Sequence, residues 1–231
     1  MVTITSIAGG APKPVFDRLR PVYERQSGNT LNALYDTMSG IQARLGKHEP
    51  IDVLLMPVAM LDALEKVGTV LAKGRAALAN IGLGVGVKAG AKIPDISTPD
   101  ALRRALQAAK AVVHAPPTAT PSGAQSDKVI AELGLAGKVS VIHKAGLAGG
   151  MAAIACGEAE IGIFPKSEIV AFDGVTLVGP LPGALQLNIV YGAAVTAASP
   201  VPGPAAAFIQ FLIAPESRKV WNACGFDPPT V

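Results

Sequence analysis

The chain opens Thr3-Ile4-Thr5-Ser6-Ile7-Ala8-Gly9-Gly10-Ala11-Pro12-Lys13-Pro14: a short apolar strand, a glycine turn, then prolines suited to the first turn of a helix. Val15, Leu19, Val22 and Tyr23 follow at i, i+4, i+7 and i+8, an apolar stripe at helical spacing. The junction recurs. Thr30 to Tyr35 reads as a second strand, and Asp36-Thr37-Met38-Ser39-Gly40 leads into a helix that turns Ile41 and Leu45 inward, with Thr37 or Ser39 as its cap. Ile51 to Met56 is a near-continuous apolar run, the pattern of a strand buried on both faces, and beyond Pro57 the residues Met60, Leu61 and Leu64 mark a third helix. Strand and helix therefore alternate through the first 70 residues. Parallel strands need crossovers, and crossovers are right-handed, so this order implies a mainly parallel sheet flanked by helices.

The middle of the chain repeats the theme. Ile81, Leu83, Val85 and Val87 alternate with Gly82, Gly84 and Gly86, a period-two strand whose second face is almost bare and can lie close against another backbone. Thr98-Pro99-Asp100 is a helix start with a cap, a proline and an acid in the first turn; Arg103, Arg104, Gln107 and Lys110 form that helix's solvated face. Strand Ala111 to His114, a helix from Ser122-Gly123 to Leu133, strand Lys138 to Ile142, helix Gly146 to Cys156 and strand Glu160 to Phe164 complete a second α/β unit over roughly 82–180. Leu185 to Thr196 reads as a strand, followed by helices Ala205 to Ile213 and Glu216 to Ala223, which end at Gly225. Phe208, Phe211, Leu212, Val220 and Trp221 give this tail an apolar face that must be covered. With the second unit complete, the tail is expected to dock on the first.

Composition narrows the function. Half of the 231 residues are apolar and only 16% charged, so the chain has ample material for a core. A net charge of +3, no dense Lys/Arg run and 4% aromatics argue against nucleic-acid binding. The longest weakly charged stretch, Ala76 to Val87, is short and broken by glycines, so no membrane insertion is expected. A strand directly after Met1 leaves no visible leader, so the expected compartment is the periplasm if a leader was removed and the cytoplasm otherwise. Cys156 and Cys224 lie far apart, each in a helical pattern; both are expected to be buried small residues, a disulfide between them being the alternative, with no metal spacing. Nucleophile-elbow, Walker, His-Glu-x-x-His and dinucleotide strings are absent, so neither cofactor nor metal is expected.

The element order and several strings resemble a known family, the type II periplasmic solute-binding proteins, in their molybdate-binding-like branch. The strings are the opening strand-turn-helix, Thr37-Met38-Ser39-Gly40, Asp52-Val53-Leu54, Pro121-Ser122-Gly123, Gly157-Glu158-Ala159-Glu160-Ile161-Gly162-Ile163 and the closing Phe208 to Phe226 segment. The resemblance implies an α/β fold of two lobes, 1–81 with the return segment 189–231 and 82–188, with a ligand in the cleft between them. Carried over position by position, it implies ligand contacts at Ala8, Gly9, Gly10, Ser39, Gly40, Ser122, Gly123, Leu147, Pro165 and Lys166; Thr120 joins them as a candidate because Thr118, Thr120 and Ser122 cluster in the sequence. Where that branch usually has Ser after the first strand this chain has Gly9-Gly10, and where it often has Tyr after the late strand it has Pro165. Both departures remove hydroxyl donors suited to a tetrahedral oxyanion, while Lys166 and the room left by glycine favour an organic carboxylate. The implied function is capture of a small anion for an ABC transporter permease. An isomerase of an unsaturated carboxylic acid such as aconitate is the alternative, with His114 and His143 at strand ends as proton acceptors and Lys166 holding developing charge. A cytoplasmic ligand sensor is a third reading.

Overall fold

The structure is a computed structural model that describes residues 1–229, the side chains of Leu147 and Ala148 excepted. The chain divides into two compact units, Met1–Asn80 with Ile189–Val231 and Ile81–Asn188.

In the first unit, β1 (Thr3–Ala8) lies parallel to β2 (Thr30–Tyr35) on one side and to β3 (Val53–Pro57) on the other. β9 (Asn188–Val195) runs antiparallel to β3, pairing Leu54 with Ala194 and Pro57 with Tyr191. Val53, Leu54, Leu55 and Met56 are fully buried, because both faces of β3 are covered. Crossovers are made by α1 (Lys13–Ser27) and α2 (Met38–Gly46), and α3 (Val58–Lys66) leaves β3 directly at Pro57. The buried stripe of α1 is Val15, Phe16, Leu19 and Tyr23; Phe16 takes the place expected of Val22, which is only half buried. Phe16 and Tyr23 receive Phe208 edge-on at ring-centroid distances of 5.9 and 4.8 Å, which seats α8 (Pro202–Ile213) on α1. The last helix, α9 (Pro215–Ala223), buries Trp221, whose indole N–H donates to the Leu212 carbonyl at 3.2 Å. Buried Asp52 joins elements that are distant in sequence: it accepts from the Thr5 N–H at 2.8 Å and from the Ser199 hydroxyl at 2.6 Å.

In the second unit, β5 (Val112–His114) lies between β6 (Val141–His143) and β7 (Ile161–Pro165), all parallel. The long strand β4 (Ala76–Lys88) begins in the first unit and enters the second, where it runs antiparallel to β7 and to β8 (Val175–Pro180). Helices α4 (Pro99–Ala108) and α5 (Pro121–Glu132) pack on this sheet; α6 (Met151–Cys156) follows a π-helical turn over Gly146–Gly150, where the sequence pattern predicts one continuous helix. A short α7 (Lys166–Val170) and β8 are elements that the pattern does not reveal. The bare glycine face of β4 explains them. A Cβ on Gly84 would stand 2.7 Å from Leu177 Cδ1 and 2.9 Å from Lys166 Cγ, and one on Gly86 would stand 3.1 Å from Val175 Cγ1. The glycines thus admit side chains of β8 and α7 hard against the strand backbone. Cys224 is buried as expected, but Cys156 is exposed, because α6 ends there and Gly157 turns the chain in the left-handed region; both thiols are free.

Among the described residues no helix is long and apolar enough to cross a membrane. Gly84→Val forces a branched side chain against Leu177 and Lys166 and should lower the unfolding free energy by about 1–3 kcal/mol. Gly10→Ala, at a position with open space around it, should stay within about 0.5 kcal/mol of wild type. Urea midpoints of the two variants check this.

Candidate functional site

Two helix starts carry the same sequence and the same geometry. At α2, Thr37 caps: its Oγ1 accepts from the Gly40 N–H at 3.0 Å and lies 3.1 Å from the Ser39 hydroxyl. At α5, Thr120 caps: its Oγ1 accepts from the Gly123 N–H at 3.0 Å and lies 2.9 Å from the Ser122 hydroxyl. Each unit therefore holds one Thr-x-Ser-Gly helix start. Thr, rather than Ser39, is the cap, which leaves the serine hydroxyl beside the helix's remaining N–H groups. Gly123 is sterically required by backbone, and Gly40 lets a side chain close in. A Cβ on Gly123 would collide with the Pro116 carbonyl oxygen, and a Cβ on Gly40 would collide with the Asp36 carboxylate.

Asp36 sets the electrostatics at α2. It accepts from the Thr37 N–H at 2.8 Å and from Arg44 Nε at 3.0 Å, and the Arg44 hydrogen bond is the main cause holding its carboxyl below the usual range. Arg44 also reaches Glu49 at 2.9 Å. The charge of Asp36 is thus balanced locally instead of standing bare at the helix start.

Beyond β1, Gly9 is buried and Gly10 exposed. A Cβ on Gly9 would lie 2.9 Å from Met38 Cε and 3.2 Å from the Tyr191 hydroxyl, while nothing approaches Gly10 within 4 Å. In the sequence, Tyr191 reads only as a core or hinge residue. The structure brings its hydroxyl to the glycine turn, and burial pushes that hydroxyl up to about 12, so it stays protonated. A phenol donor therefore stands next to the glycine turn.

In the second unit, Pro165 ends β7 and Lys166 opens α7. Pro57 does the same between β3 and α3, with φ −51° and ψ 134° against −51° and 132° at Pro165. The Lys166 stem lies over Gly84. Leu147 falls in the π-helical turn, and its side chain lies outside the described residues. His114 and His143 end adjacent strands in register, their rings 4.9 Å apart between centroids. His114 is fully buried, with Nδ1 2.8 Å from the Ala115 carbonyl; burial is the first cause holding its imidazole below the usual range. His143 is exposed.

Nothing in the sequence singles out Glu168. Its Oε2 is buried without a hydrogen-bond partner, and a Cβ on Gly146 would collide with it. Burial raises its carboxyl from 4.5 to about 7. An acid whose folded pKa is raised contributes stability below its unfolded pKa and loses it as pH climbs through the folded value. Between pH 4.5 and 8 the native state should therefore weaken by on the order of 3 kcal/mol through this group, and Glu168→Gln should remove that slope. Denaturant titrations at the two pH values, on wild type and variant, measure it.

The chain is 29% identical over 238 residues to an aconitate isomerase from a Pseudomonas species, covering 99% of this chain and 88% of that protein. Among solved structures, a Clostridium difficile domain described as the substrate-binding part of a putative molybdenum ABC transporter matches with a TM-score of 0.85 at 17% identity, over 100% of both chains. The periplasmic molybdate-binding protein of Azotobacter vinelandii matches at 0.74 and 17% identity over 98% of this chain and 100% of its own. The sulfate-binding protein of Mycobacterium tuberculosis matches at 0.73 and 20% identity over 99% and 87%. These structures share the periplasmic-binding-protein-like α/β fold that the sequence resembles. The family model of bacterial extracellular solute-binding proteins spans residues 4–227, and the chain belongs to that family.

Proposed function

We propose that the chain captures a small organic carboxylate with the helix starts at Ser39-Gly40 and Ser122-Gly123, assisted by Gly9, Gly10, Thr120, Leu147, Pro165 and Lys166, and delivers it to an ABC transporter permease. The periplasm is the compartment that fits this role. The observation that carries the reading is the repeated Thr-x-Ser-Gly start. A hydroxyl has one proton to donate. The Thr oxygen accepts from the glycine N–H, so its own proton can pass to the Ser oxygen, which leaves the Ser proton for a ligand. Each start then becomes a chain of hydrogen bonds, N–H to Thr to Ser, in which each bond polarises the next toward an external anion. The helix dipole favours the same charge.

The choice of a carboxylate rests on three supports. The glycine turn offers backbone N–H and the neutral Tyr191 hydroxyl in place of a serine. Gly10 leaves space that a tetrahedral oxyanion does not need. The isomerase relative is named for a tricarboxylic acid.

That relative also favours a second reading, isomerisation of an unsaturated acid by proton transfer. In it the proton acceptor is Glu168, since a pKa near 7 suits general acid–base work, whereas burial holds the His114 imidazole below its usual range and makes it a weaker base.

A thermal-shift and calorimetric screen against molybdate, sulfate and small di- and tricarboxylates tests both readings. A carboxylate should raise the melting temperature, and Ser39→Ala or Ser122→Ala should each weaken its binding roughly 10–100-fold, the value of a hydrogen bond to a charged group. Binding of molybdate or sulfate alone, or affinity unmoved by both substitutions, contradicts the proposal. Interconversion of aconitate isomers followed by NMR, abolished in Glu168→Gln, would establish the second reading instead.

A further inference from the structure

We propose that His114, Asp127 and His143 form a binding site for a borderline divalent cation, zinc above all, within the second unit. The three side chains come from β5, α5 and β6, and one ligand atom from each lies within 4.8 Å of the other two. The decisive residue is His114. Its side chain is fully buried, and Nδ1 faces the Ala115 carbonyl at 2.8 Å. A carbonyl only accepts, so Nδ1 carries the ring proton and Nε2 presents a lone pair. That Nε2 is buried and has no hydrogen-bond partner. A buried acceptor left unpaired is costly, and a cation is the group that satisfies a bare imidazole lone pair without needing a proton. A metal-binding histidine whose other nitrogen donates to a backbone carbonyl is the arrangement that fixes ring orientation and tautomer.

The partners complete the donor set. Parallel pairing of β5 with β6 puts His143 in register with His114 at the same strand ends. Asp127 supplies the negative charge from α5, and among the described residues no hydrogen bond or ion pair ties it to either ring. The neighbouring cations do not oppose a metal: Lys144 pairs with Glu158 at 2.6 Å and Lys128 with Glu132 at 3.5 Å. Two imidazoles and one carboxylate suit zinc, cobalt or nickel better than magnesium or calcium, and leave a fourth position for water. A tetrahedral zinc site has donor–donor edges of about 3.3 Å. Asp127 and His143 are both exposed, so their side chains have room to close on the buried ring of His114 as an ion binds. The bound ion would cross-link the ends of β5 and β6 to α5, the helix that starts at Thr120, Ser122 and Gly123. It would stiffen that helix start whether or not the ligand proposed for it is correct.

The test uses the full chain without an affinity tag, stripped with EDTA and titrated calorimetrically with zinc, with cobalt absorption as a second readout. One equivalent of zinc should bind, and cobalt should give the intense visible bands of a tetrahedral site. His143→Ala and Asp127→Asn alter exposed groups and leave the core intact, which circular dichroism verifies. Each should weaken zinc binding at least roughly tenfold. His48→Ala and Cys156→Ser remove the remaining histidine and the exposed thiol, and should leave it unchanged. Absence of stoichiometric uptake, uptake that survives both His143→Ala and Asp127→Asn, or uptake lost in Cys156→Ser or His48→Ala would overturn the assignment.

Discussion

Every α-helix begins with backbone N–H groups that its own carbonyls cannot reach, and this chain meets that constraint twice with one device. Thr37 and Thr120 each satisfy a glycine N–H and each hold a serine hydroxyl at about 3 Å, one in either unit. Capping alone needs only the threonine. The serine and the glycine are additions: the glycine lets a neighbouring group close in, and the serine brings a hydroxyl to the positive end of the helix. The rest of each unit positions that start. Parallel strands buried on both faces fix where the helices begin, and Phe208, Phe16 and Tyr23 fix the helix that follows the first glycine turn.

Three acidic groups of the two units are held in distinct electrostatic states. Arg44 balances the charge of Asp36 at 3.0 Å. Burial pushes the Tyr191 hydroxyl up to about 12 and raises the Glu168 carboxyl to about 7. Desolvation thus works in one direction at both residues, against the ionised form. The family to which the chain belongs binds solutes.

Local pattern made most of the fold legible. The apolar run Val53–Met56, the Thr98-Pro99-Asp100 start and the prolines before α1, α8 and α9 each dictate an element through backbone chemistry that needs no partner. What stayed hidden depends on contacts. β8 and α7 exist because the glycine face of β4 admits them, and the π-helical turn at Gly146–Gly150 interrupts a helix that periodicity alone would run straight. At the site, the Thr-x-Ser-Gly repeat is present in the sequence at 37–40 and 120–123 and readable by comparing the two strings. Tyr191 beside Gly9, buried Glu168, and the meeting of Asp127 with His114 and His143 have no such signal, because residues far apart in the chain bring them together.

The proposal that these helix starts bind an anion is tested most directly by an amide-resolved NMR titration of isotope-labelled protein, using the carboxylate that raises the melting temperature most. The Ser39-Gly40 and Ser122-Gly123 amides should shift as the carboxylate is added. Absence of shifts at both starts while the ligand binds elsewhere would contradict it.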